Sequence, residues 1–140
     1  MELQIKLLEG INDIDFGISK ENFIEKMGQP AQTEIISDPD DPVTTILLEY
    51  PDLQTSFFFE GKNDKYHLNS CDTNNPESVL FGKKIFSMNK MEIAELFNNM
   101  GFERYKTATE EWGEMRMTFE NSMCDLYFDD GKLSSVIWGY

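Results

Sequence analysis

Phe57-Phe58-Phe59-Glu60-Gly61-Lys62 has a counterpart in Leu126-Tyr127-Phe128-Asp129-Asp130-Gly131-Lys132, and the pairing of these stretches decides the fold expected of the chain. Setting Phe59 on Phe128 also sets Tyr50 on Phe119, Leu48 on Met117, Thr55 on Cys124 and Phe57 on Leu126, all at a shift of sixty-nine residues. Internal self-similarity constrains a whole architecture, so it is read first. Phe57 and Phe59, and Leu126 and Phe128, fall two apart and so share one strand face, the expected buried face of each sheet. Phe58 and Tyr127 fall on the opposite, polar face, beside Ser56, Glu60, Asp125 and Asp129. Asp129-Asp130-Gly131 between two β-rich runs is a strong hairpin signal, and hairpins imply antiparallel pairing.

Upstream of each stretch lies an amphipathic helix. In the first, Ser19 is a suitable N-cap, Phe23, Ile24 and Met27 form the apolar stripe, and Gly28 with Pro30 stops it. In the second, Asn89 opens a helix striped by Ile93, Ala94, Phe97 and Met100, and Gly101 ends it. Leu3, Ile5 and Leu7 suggest a short N-terminal strand, and Asp72-Thr73-Asn74-Asn75-Pro76 reads as a polar turn between copies. The expected fold is α+β: two similar helix-plus-antiparallel-sheet repeats, 1–71 and 72–140, packed into one compact unit with helices on one side of the sheet.

Phe16-Gly17-Ile18-Ser19, Gly28, the strand from Phe57 to Gly61 and the hairpin side from Phe128 to Lys132 together resemble the β-lactamase-inhibitor-protein-like tandem-repeat fold. That group includes a secreted tandem-repeat inhibitor and single-copy outer-membrane assembly lipoproteins. The second copy departs from the pattern, with Phe86-Ser87-Met88-Asn89 where Phe-Gly-Met-Thr is expected. The resemblance implies a layout. It transfers no contact residues, because a fold does not fix a function.

The 140 residues carry a formal charge of −14, with fourteen acids and five bases in 1–70 and twelve and seven in 71–140. This charge repels phosphates and anionic lipid, so nucleic-acid and membrane-surface roles are disfavoured and a basic protein partner is favoured. The N-terminus shows no secretory signal, which predicts a cytoplasmic protein. Cys71 and Cys124 form no Cys-x-x-Cys motif and are expected to be reduced and buried.

No catalytic constellation emerges. His67 is the sole histidine; Cys71, four residues on, would lie about 13 Å away along a strand, too far for a nucleophile–base pair. Three Cys and His residues in all are too few for a zinc site. Asp38-Pro39-Asp40-Asp41-Pro42 is the densest acidic loop, but two prolines and no glycine suit calcium poorly. No cofactor, metal or catalytic residue is therefore expected. What remains is recognition. Trp112, Glu114 and Arg116 fall on one strand face, Phe58 and Tyr127 on the polar face of theirs, and Asp38, Asp40 and Asp41 form an acidic finger; Trp, Tyr and Arg dominate interface energies. The expectation is a non-enzymatic protein-binding module, of inhibitor or immunity type, acting on a basic partner. The alternatives are a small-ligand or enzymatic domain with a pocket between sheets, and a self-associating structural domain that forms a homodimer.

Overall fold

Alternate side chains of the central strands are buried and the rest half-exposed, so the chain builds sheets with one dry face. The computed structural model describes residues 2–140. In order the elements are β1 (Leu3–Lys6), β2 (Gly10–Ile11), β3 (Ile14–Asp15), α1 (Lys20–Met27), β4 (Gln32–Ile36), β5 (Thr44–Tyr50), β6 (Thr55–Lys62) and β7 (Lys65–Thr73). There follow β8 (Ser78–Leu80), β9 (Lys83–Lys84), α2 (Lys90–Asn99), β10 (Lys106–Thr109), β11 (Met115–Phe119), β12 (Cys124–Asp129) and β13 (Lys132–Gly139).

The expected α+β arrangement is not what forms. Strands take 47% of the chain and helices, with three short 3₁₀ turns included, 19%; the two α-helices have eight and ten residues. The large sheet has eight strands in the order β10-β11-β12-β13-β7-β6-β5-β4, all antiparallel. Its dry face is shared: Phe23 of α1 and Phe97 of α2 pack on it, and a second, five-stranded sheet, β3-β2-β1-β8-β9, joins the same core and meets it through the Trp138–Gly10 bond. In that small sheet β1 and β8 run parallel. Helices this short are marginal alone and persist by docking an aromatic stripe.

Those docks are local and specific. Ser19 Oγ accepts from the Asn22 amide to cap α1, and Phe23 is fully buried against Phe57, Phe59 and Tyr50 at centroid distances of 4.7, 5.1 and 5.8 Å. Burying one such ring contributes about 1.5–3 kcal/mol. Asn89 and Glu92 cap α2 reciprocally, and Phe97 stacks on Phe119 at 4.0 Å. The amide of Phe102 bonds the Phe97 carbonyl, closing α2 ahead of the positive-φ Gly101.

The strand register shows the sixty-nine-residue shift directly. Tyr50 and Phe119 each lead into one 3₁₀ turn, Pro51–Leu53 and Glu120–Ser122, which ends in a left-handed residue, Gln54 and Met123. Each half also carries a bulge: Asn69 is the extra residue of β7 opposite Phe58 and Phe59, and Ser134 that of β13 opposite Tyr127 and Phe128. The halves interlock, since β7 pairs with β13 and β1 with β8. Residues 72–76 are not a free turn. Asp72 and Thr73 end β7, the Thr73 and Thr55 hydroxyls meet at 2.8 Å, and Asn75 donates to the Leu53 carbonyl. Gly61 stands where a Cβ would lie 1.8 Å from the Lys65 carbonyl oxygen, so only glycine closes the β6–β7 hairpin.

Candidate functional site

The outer face of the large sheet is the surface that the small sheet leaves open. One row crosses all eight strands: Gln32, Glu49, Ser56, Asp72, Ile137, Asp125, Thr118 and Lys106 are successive cross-strand partners. Three carboxylates thus occupy its middle. Thr118 donates to Asp125 at 2.6 Å. Asp72 is half-buried, and desolvation raises its pKa above the usual carboxylate value. Glu49, Ser56, Asp72, Asn74 and Ser135 line an open groove of about 470 Å³ on this face.

At one corner of the face the sequence candidates come together. Trp112 sits not in a strand but in the β10–β11 hairpin, where the Glu110 amide bonds the Glu114 carbonyl at 2.7 Å. That turn brings Trp112 beside Glu114, and the indole Nε1 donates to Glu114 Oε1 at 2.7 Å. The other Glu114 oxygen accepts from the Ser134 hydroxyl, which the bulge in β13 aims at it. The indole is thereby fixed while 66% of the residue stays exposed. Arg116 pairs across strands with Tyr127 and lies 3.0 Å from Glu110. The Tyr127 side chain and then the Glu110 carboxylate raise the Arg116 pKa further, so its charge is permanent.

The remaining candidates lie apart. Phe58 is the structural counterpart of Tyr127, but β7 and β13 stand between them and they flank the row on opposite sides, about 20 Å apart at ordinary strand spacings. Asp38, Asp40 and Asp41 lie in the β4–β5 hairpin, the counterpart of the Trp112 hairpin, at the diagonally opposite corner. There the Asp38 and Asp41 carboxylates accept from the Asp40 and Val43 amides at 2.9 Å each, so they shape the loop as well as charge it. Sequence reasoning missed Asp72, placed in a turn, and Ser134, which only the bulge exposes as a partner of Glu114.

His67 is exposed in β7 opposite Glu60. Among the described residues no group of three or more His, Cys, Asp or Glu is placed to hold a metal ion, and no helix is long and apolar enough to cross a membrane. No family model, curated protein or solved structure matches the chain. It is a mostly β protein with an acidic outer sheet face and, at one corner, an exposed indole bonded to Glu114.

Proposed function

We propose that the protein is a non-enzymatic binding module, of inhibitor or immunity type, that captures a basic protein in the cytoplasm through the outer face of its large sheet. The observation that carries this reading is the Trp112 corner. A tryptophan pinned at its nitrogen by Glu114, with most of its surface in water, loses little conformational freedom when a partner covers it. Arg116 and Tyr127 adjoin it, completing the trio of residue types that anchor interfaces. The acidic row through Asp72 and the Asp38–Asp41 loop supply attraction and a fast encounter.

The test is retention of a partner from the native host on immobilised protein, at low and at high salt. The reading expects a basic protein that is held at low salt, and about tenfold or more weaker retention by Trp112→Ala or Tyr127→Ala. Retention untouched by both substitutions sinks it.

A further inference from the structure

The two outer strands of the large sheet are counterparts in the two halves, yet only one is guarded. β10 presents Lys106-Thr107-Ala108-Thr109, with no large apolar residue, and its lysine pairs with Glu120 at 2.9 Å; Arg104 lies just ahead. An edge lysine is a usual defence against strand addition. β4 presents Gln32-Thr33-Glu34-Ile35-Ile36 with every residue exposed. Ile35 is 68% and Ile36 47% exposed, one on each face, and β4 carries no lysine, proline or bulge. Among the described residues no strand lies beyond it to pair with the backbone donors and acceptors of its outer edge.

Charge selects what fits there. Between Lys26 and Lys62 the chain has seven carboxylates and no lysine, arginine or histidine. Glu34 is in β4 itself, Asp38, Asp40 and Asp41 follow it, and Glu49 is the cross-strand partner of Gln32. A second copy of this chain would set acid against acid at that edge. A basic strand would meet opposite charge along its whole length.

We infer that β4 is a docking edge that accepts a basic extended segment of the partner as a ninth strand of the sheet. This rests on the reading of the protein as a binder of basic proteins and locates one part of that contact. Backbone pairing would supply register, Ile35 and Ile36 would grip apolar side chains on the two faces, and the carboxylates would select lysine or arginine between them.

The probe is a synthetic peptide alternating lysine with valine and threonine, compared with a twin in which glutamate replaces lysine. Amide exchange and chemical-shift mapping on the full chain are the readouts. The inference expects slowed exchange and shifts confined to Gln32–Ile36 and the next strand with the basic peptide alone, weakening about tenfold or more as salt rises. Ile35→Lys with Ile36→Lys, both at exposed positions and so compatible with folding, should abolish the effect. Three results overturn it: no protection of β4 by the basic peptide, equal protection by the acidic twin, or self-association in which β4 is protected without any peptide. Basic-peptide shifts centred on Asp72 or Trp112 would also overturn it while leaving the proposed function standing. Host-partner retention sensitive to Trp112→Ala but indifferent to the double lysine variant would separate the two in the same way.

Discussion

The indole nitrogen of Trp138 donates a 2.9 Å hydrogen bond to the carbonyl of Gly10, joining residues 128 apart and tying the large sheet to the small one. Trp138 is wholly buried in β13, with Cys71 and Cys124 as its cross-strand partners, and these small side chains leave room for the ring. Gly10 must be glycine, because a Cβ there would lie 2.0 Å from the Ile14 carbonyl oxygen. Trp138→Phe therefore removes this bond to the Gly10 carbonyl and leaves a void beside it. The expected loss is about 2–4 kcal/mol in unfolding free energy, read by circular dichroism in urea as a lower midpoint with unchanged slope. A loss under about 0.5 kcal/mol would mean the tie is not what joins the layers.

The cysteines beside that indole are predicted to be inert. Burial first, and the nearby charge of Asp72 second, push the Cys71 thiol well above its usual range; burial and then Asp125 do the same to Cys124. A raised thiol pKa means little thiolate, and thiolate is the reactive form. A thiol reagent at mildly alkaline pH should therefore label neither cysteine in the native protein and both in denaturant. Rapid native labelling of either one would contradict the burial.

How much of this was legible depends on periodicity. Met117 and Phe119 alternate with polar neighbours, Phe57 and Phe59 fall two apart around Phe58, and all four are buried as a period of two requires. β4 carries no such signal, since Gln32 to Ile36 are exposed on both faces. The two-residue strands at Gly10, Ile14 and Lys83 are too short to show a period, and the parallel pairing of β1 with β8 joins segments over seventy residues apart. The small sheet, which has no readable period, is what makes the molecule mostly β rather than the expected pair of helix-plus-sheet repeats. At the site, Gly113 interrupts the alternation that placed Trp112 in a strand; the hairpin, not the pleat, sets it beside Glu114. Asp72 was hidden by its turn-forming neighbours, and Ser134 by a bulge that has no sequence period.

The anchoring of Trp112 yields a separate expectation. Glu114→Ala removes the acceptor of the indole, while the Ser134 hydroxyl keeps the Tyr127 carbonyl, and the site is at the surface. Stability should fall by about 1 kcal/mol or less, while the indole loses its fixed orientation. In nitrogen-15 NMR the Trp112 indole amide should move upfield and its heteronuclear Overhauser effect should drop; the Trp138 indole signal serves as the fixed internal reference. An unchanged Trp112 signal would show that other contacts hold the ring.

Asp72 makes the acidic face sensitive to pH in a direction that can be worked out. Its flanking partners are Ser56 and Ile137, and the next groups along the row are the acids Glu49 and Asp125, so no cation offsets its desolvation. Its folded-state pKa is raised above 3.8 by burial, so the folded protein binds a proton that the unfolded chain has already lost. Stability from this group is therefore full below the unfolded value and is lost as pH rises through the folded one. Asp72→Asn, neutral at every pH, should raise the melting temperature at about pH 7, and the gain should shrink to nothing by about pH 3. The same carboxylate should gain from a partner's lysine or arginine, so Asp72→Asn should weaken partner retention even as it stabilises the free protein. A gain equal at both pH values, or a loss at neutral pH, would refute the assignment of Asp72 as an uncompensated charge at the centre of the face.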